Sequence, residues 1–210
     1  NDALPAWRYT GAMQYPRRHL NAVLLPDGTV LATGGSQDSG FATLAGAVLA
    51  AEQWSPVTET WTTLAPSQVA RVYHSSSVLL PDGRVLHTGS GDGANLPREL
   101  NAELFSPPYL FRGRRPVITA APATVAYGEQ FTVATPDWAV IAKVSWIRLP
   151  SVTHAFDQNQ RFNWLTFEAA PGGVTVTAPA GPALAPPGHY MLFLLNGDGV
   201  PSIAKIVNIQ

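Results

Sequence analysis

Two stretches of this chain, RRHLNAVLLPDGTVLATGG (Arg17 to Gly35) and VYHSSSVLLPDGRVLHTGS (Val72 to Ser90), align without a gap. Each carries Leu-Leu-Pro-Asp-Gly, then a Val-Leu pair, then Thr-Gly. A second shared block follows in each copy, Ala51-Glu52-Gln53-Trp54-Ser55-Pro56 and Ala102-Glu103-Leu104-Phe105-Ser106-Pro107. An internal repeat constrains a fold more tightly than local propensity does. Each copy is one supersecondary unit that cannot bury its apolar face alone and must stack on a neighbour.

The period is about 50 residues, that of kelch-type propeller blades. In each copy Asp-Gly supplies the positive φ of a tight hairpin turn, and the preceding Pro fixes the entry. Small and apolar residues (Ala22, Leu24, Val30, Ala32) suit strands packed on both faces by neighbouring blades. Gly34-Gly35 leaves room for close backbone approach, and Trp61 is expected to fill space between blades. A repeat of this kind predicts a four-stranded blade; the alternative is a β-sandwich with two similar hairpins. Propellers close with about four to eight blades, and this chain holds two. The expectation is therefore that further blades, in the same polypeptide or another chain, complete the ring.

From about Arg115 the repeat is gone. Pro116-Val117-Ile118, Gln130-Phe131-Thr132-Val133, Lys143 to Ile147, Val174-Thr175-Val176 and Tyr190 to Leu195 read as short strands between Pro/Gly turns. Such spacing without a helix signal suggests an immunoglobulin-like sandwich. The predicted fold class is all-β: kelch-type propeller blades over residues 1–114, then an immunoglobulin-like β-sandwich over 115–210. The basic link Arg112-Gly113-Arg114-Arg115-Pro116 marks the boundary.

Composition excludes several function classes. Charged residues are 13% and the formal net charge is −1, with no basic block, which argues against a nucleic-acid surface or a polybasic membrane surface. No apolar run is long enough for a membrane span. Asn1 to Tyr9 lacks the charged region and apolar core of a leader. Cysteine is absent, so disulfides and thiolate metal sites are out.

Chemistry then rests on five histidines, His19, His74, His87, His154 and His189. No HxH or HExxH spacing occurs, so spacing alone identifies no metal motif. His19 occupies the repeat position of His74, which allows His74 to be a mere blade feature; His87 and His189 read as structural. Tyr73-His74 stands out because it opens the second hairpin. Neighbours in a regular strand point to opposite faces, so both could reach one metal only where the strand begins and the backbone can bend. Phenolate and imidazole suit a tetragonal Cu(II) ion. His154 sits in a polar loop, Ser151 to Arg161, which by spacing alone is a solvated loop.

Arg71-Val72-Tyr73-His74-Ser75 with Leu79-Leu80-Pro81-Asp82-Gly83-Arg84-Val85 resembles the copper-site hairpin of the galactose oxidase and glyoxal oxidase family. So do Phe105-Ser106-Pro107-Pro108-Tyr109-Leu110, Thr153-His154 with Asp157 and Gln160-Arg161, and Pro187 to Phe193 with Gly199-Val200-Pro201-Ser202. The resemblance implies a seven-bladed kelch propeller capped by an immunoglobulin-like domain whose loop delivers a histidine to one copper ion. By motif position it implies Tyr73 as the axial tyrosine that takes the alcohol proton, and His74 and His154 as equatorial ligands. Arg71 receives no chemical role.

The family's redox cofactor, a tyrosine cross-linked to a cysteine, has no counterpart here: no Cys is present, and Tyr9, Tyr15, Tyr109, Tyr127 and Tyr190 match no cofactor position. Asn163-Trp164 also departs from the family's usual continuation after Gln-Arg. The resemblance implies the C-terminal portion of a secreted or cell-surface copper-radical oxidase. Such an enzyme oxidises alcohols, aldehydes or sugars while O2 becomes H2O2. Alternatives are a non-catalytic carbohydrate-binding or cell-surface module derived from such an oxidase, and a scaffold without metal.

Overall fold

In a computed structural model, residues 6–40, 43–92 and 96–210 are described. The first repeat forms a four-stranded antiparallel sheet in the order β1 (Asn21–Leu24), β2 (Val30–Thr33), β3 (Ala50–Trp54), β4 (Trp61–Pro66). The Pro-Asp-Gly turns form as the residues dictate. Gly28 and Gly83 both take φ 82°, and each donates its N–H back to the leucine carbonyl three residues earlier at 2.9 Å. Asp27 and Asp82 accept the N–H two residues on, at 3.1 and 3.0 Å. Trp61 lies in register opposite Trp54 across β3 and β4, both half-buried.

The second repeat departs from expectation. It has three strands, β5 (Ser75–Leu79), β6 (Val85–Gly89) and β7 (Ala102–Phe105). After Phe105 the chain runs through Pro107 and Pro108 into a 3₁₀ turn, Pro108–Phe111. Proline lacks the N–H that a ladder needs, so no fourth strand follows β7, and among the described residues its outer edge is unpaired.

A buried arginine braces each blade. Arg17 donates to the carbonyls of Gly34 (3.1 Å) and Ala50 (2.9 Å) and pairs with Glu52, both side chains fully buried. Arg71 donates to the Gly89 carbonyl at 2.8 Å, pairs with Glu103 at 3.3 Å and reaches Asn101. The gapless alignment sets Arg17 against Val72, yet Arg71 performs the matching task. The two blades also meet through backbone: the Gly35 N–H donates to the Arg71 carbonyl at 2.8 Å. A Cβ on Gly34 would stand 2.6 Å from that carbonyl oxygen, which is the close approach the Gly-Gly pair foretells.

The second half holds β8 (Thr124–Val125), β9 (Gln130–Ala134), β10 (Ile141–Arg148), β11 (Val152–Thr153), β12 (Phe156–Asp157), β13 (Phe162–Leu165), β14 (Phe167–Ala170), β15 (Gly173–Thr177), β16 (Gly188–Asn196) and β17 (Lys205–Ile209). A five-stranded sheet, β13-β10-β16-β17-β8, packs on a three-stranded one, β14-β15-β9, as an immunoglobulin-like sandwich. Pro116-Val117-Ile118 is not a strand: the Val117 N–H is taken by the Asp137 carboxylate at 2.9 Å. The basic link is tethered, because Arg115 donates to the carbonyls of Pro201 and Ser202 at 2.8 Å and Arg114 pairs with Asp137 at 3.0 Å.

β16 joins the halves. Its side chains alternate, so Tyr190, Leu192 and Leu194 enter the sandwich core, where Tyr190 stacks on Trp146 at 4.6 Å. Met191, Phe193 and Leu195 enter a second core with Val23, Leu25, Leu31, Leu79, Val85 and Tyr109 of the blades. A strand buried on both faces reads as a continuous apolar run, as this one does. Ser145 of β10, on the blade-facing side, donates to the Pro26 carbonyl at 2.8 Å. Among the described residues, helix is confined to two 3₁₀ turns, Pro108–Phe111 and Trp138–Val140, and no helix is long and apolar enough to cross a membrane.

Candidate metal centre

Tyr73 and His74 precede β5. His74 takes the left-handed conformation, φ 67°, at a cost of roughly 1–2 kcal/mol for a residue with a Cβ. That bend cancels the strand's alternation. The two rings come to the same side, centroids 3.8 Å apart and 30° from parallel. The Gly91 N–H donates to the Tyr73 carbonyl at 2.9 Å, holding the bend. His74 Nδ1 lies 3.2 Å from the Gly91 carbonyl oxygen. A carbonyl only accepts, so Nδ1 is the donor in this contact, and in a neutral ring Nε2 is then the nitrogen with the lone pair.

The loop after β10 folds into the short β11–β12 hairpin. Its two-residue turn is His154-Ala155, at φ 52° and 61°. A two-residue hairpin turn with positive φ at both central positions normally takes Asn or Gly; here a histidine and an alanine are held there instead. The Asp157 carboxylate secures the base, accepting the N–H groups of Ser151 and Asn159 at 2.9 Å. The hairpin reaches the blades, with β11 against β5 and β12 against β1. Gln160 donates to the Ala22 carbonyl at 2.8 Å, and Asn21 of β1 donates to Ser75 Oγ at 2.9 Å. His154 thereby stands with its ring 5.0 Å from that of His74 and 6.0 Å from that of Tyr73. Its Nδ1 is 2.7 Å from Thr153 Oγ1.

The three residues singled out from sequence, Tyr73, His74 and His154, are thus neighbours drawn from both halves of the chain. Among the described residues no three His, Cys, Asp or Glu side chains are grouped to hold a metal, so an ion here would need the phenol. The donor set fits one. Both ligand-candidate imidazoles engage Nδ1 with an oxygen, the arrangement that orients a metal-binding histidine and leaves Nε2 for the ion. Two imidazoles and a phenol make an N,N,O set suited to Cu(II).

His87 and His189 lie apart. His87 is buried in β6, where burial, with the Arg71 charge nearby, pushes its pKa down to about 4. His189 is the second residue of β16, exposed, with Asn208 Nδ2 3.3 Å from its Nε2. Residue chemistry underrated two positions. Arg71, given no role, is the brace beneath Tyr73-His74. His19, read as the repeat counterpart of His74, has its ring centroid 5.5 Å from that of Tyr73 at 65°. Burial and the adjacent Arg18 hold the His19 pKa below its ordinary value. The shared repeat position was the signal for His19.

Two propeller-type blades are joined to an immunoglobulin-like sandwich, with imidazoles from both halves of the chain around one phenol. Residues 1–109 match the glyoxal oxidase N-terminus family, and residues 115–209 match the galactose oxidase-like early set domain. The chain belongs to the galactose oxidase and glyoxal oxidase family. It is 38% identical to aldehyde oxidase GLOX of Vitis pseudoreticulata over 98% of this chain and 43% of that protein. It is 33% identical to galactose oxidase of Gibberella zeae over 95% of this chain and 30% of that protein. In structure it matches a fungal alcohol oxidase of the AA5 family, solved in complex with copper, with TM-score 0.90 and 31% identity. That match covers 96% of this chain and 44% of the alcohol oxidase. The chain spans less than half the length of each of these relatives.

Proposed function

We propose that this chain is the C-terminal portion of a secreted or cell-surface copper oxidase, in which Tyr73, His74 and His154 hold one copper ion. The convergence of those three rings from two halves of the chain carries the reading. The reaction class is two-electron oxidation of an alcohol to an aldehyde, or of a hydrated aldehyde to an acid, with O2 taking both electrons and two protons to become H2O2. Copper, when bound, supplies one-electron redox capacity and Lewis acidity. Tyr73 would hold the substrate's hydroxyl proton on its phenol oxygen, and His74 and His154 would orient the ion through their Nε2 atoms. The second redox group lies outside these residues, since the sequence has no Cys for a tyrosine–cysteine cross-link.

Residues 1–114 are read as the blade unit and 115–210 as the sandwich. The partner is the set of propeller blades that this chain lacks, on the same polypeptide or another. The open edge of β7 supports this. Leu104 in that strand is 48% exposed and Leu100 just before it 92%, and an open edge of this kind accepts a further strand. The substrate is a small alcohol, aldehyde or sugar. Titration with Cu(II), followed by electron paramagnetic resonance, tests the reading. One copper per chain with nitrogen coupling from two imidazoles is expected. Absence of stoichiometric binding, in both the isolated chain and the complete polypeptide, overturns it.

A further inference from the structure

We propose that His19 is the positioning residue for the Tyr73 phenol, reaching it from the neighbouring blade. This rests on the reading of Tyr73, His74 and His154 as the metal-binding set. His19 and His74 share a repeat position, and both are left-handed, at φ 58° and 67°. Each bend comes just before the first strand of its blade, β1 or β5. Left-handed geometry is uncommon for residues other than glycine, although Asn, Asp and His adopt it more often than the rest, and here it recurs at the same repeat position in both blades. In the second blade the bend turns the His74 imidazole onto Tyr73. In the first it brings the His19 imidazole against the same phenol.

The Tyr73 ring therefore has three imidazole neighbours on three separate segments. His74 lies nearly parallel at 3.8 Å, His19 edge-on at 5.5 Å, and His154 tilted at 6.0 Å. Two of these three belong to the proposed metal-binding set. His19 is the third, and the Arg18–Ser36 backbone pair (2.9 and 3.0 Å) beside it anchors it within the first blade. An edge-on ring at this distance is a favoured aromatic arrangement and limits rotation of the phenol about its Cα–Cβ bond. His19 acts through Tyr73, by fixing where the phenol oxygen stands.

The test uses the complete, copper-loaded polypeptide with three variants. His19→Ala removes the ring, His19→Asn removes it while tolerating left-handed backbone, and His19→Phe keeps a ring without nitrogens. Positioning by the ring predicts that His19→Ala and His19→Asn alter the Cu(II) resonance hyperfine splitting and lower kcat about tenfold, within the 10–100-fold range of outer-sphere partners of metal ligands. KM should stay within about twofold, and His19→Phe should keep the parent spectrum and kcat. An unchanged spectrum and kcat in His19→Asn overturns the proposal. So does a His19→Phe variant as impaired as His19→Asn, which would assign the effect to a nitrogen. Tyr73→Phe separates the two layers: if it leaves the copper spectrum unchanged, the metal-set reading itself has failed.

Discussion

The imidazoles of His74 and His154 stand 5.0 Å apart at 77°, one at the root of a blade and the other at the tip of a sandwich hairpin. Their Nδ1 atoms face oxygens of their own segments, Gly91 and Thr153. In the proposed site the two Nε2 atoms would be the ones to bind the ion.

Removing one of that pair should therefore remove the site. His154→Ala is expected to weaken Cu(II) binding by more than the roughly 10–100-fold typical of losing an outer partner. His189→Ala should bind as the parent does, because that exposed ring sits beside Asn208 on β16. Calorimetric titration of both variants decides it; equal affinity in His154→Ala would remove the sandwich hairpin from the metal site.

Arg71 should matter to stability before it matters to chemistry. Its side chain is fully buried and braces Gly89, Asn101 and Glu103. Arg71→Ala strands a carbonyl and a partly buried carboxylate, a loss of about 2–4 kcal/mol by comparison with other broken buried pairs. The urea midpoint should fall at unchanged slope. A midpoint equal to the parent's would show the brace to be idle.

His87 gives the fold an acid-sensitive element. Its folded pKa of about 4 lies below the ordinary value of 6.5, so the unfolded chain binds the proton first as pH falls. Stability from this group is complete above pH 6.5, declines between 6.5 and 4, and is level below that. The full loss is on the order of 3 kcal/mol. Denaturant titrations across this window should show a shallower pH slope for His87→Leu than for the parent, and parallel slopes would refute the assignment.

Gly28 and Gly83 form a matched pair. They have the same φ and the same turn, but different neighbours. A Cβ at Gly83 would meet side-chain atoms at 3.5 Å, ordinary contact, whereas at Gly28 it would come within 3.0 Å of Trp164. Both alanine variants bear the left-handed cost of roughly 1 kcal/mol, and Gly28→Ala should cost more. Adding Trp164→Ala should remove the difference in a double-mutant cycle. Equal costs for the two glycines would exclude the Trp164 contact as its source.

Trp164 also shows where sequence reading ran out. Asn163-Trp164 stood out as a departure from the family's pattern, with no partner for Trp164 legible in the residues around it. The contact instead is with the β1–β2 turn at Gly28, a residue remote in sequence. In the same way the blade repeat predicted four strands in each copy, while Pro107 and Pro108 end the second at three. Pro116-Val117-Ile118 looked like a strand because its residues favour extension, but its first amide proton went to Asp137.

Features set by near neighbours in the chain were readable from the residues alone. Asp-Gly gives the hairpin turns, the repeat gives stacked blades, and the unbroken apolar run of β16 gives a strand buried on both faces. The Tyr73-His74 pair, too, was legible as a place where the strand begins and the backbone can bend. Tertiary structure decided what depends on contacts between distant residues. It set which side of the blades the β11–β12 hairpin meets, and that His154 and Ala155 are held left-handed. It also put the His19 ring beside Tyr73. Spacing could not foresee these, because left-handed backbone at His19 and His154 is locally unfavourable and persists only where contacts with residues distant in the sequence enforce it.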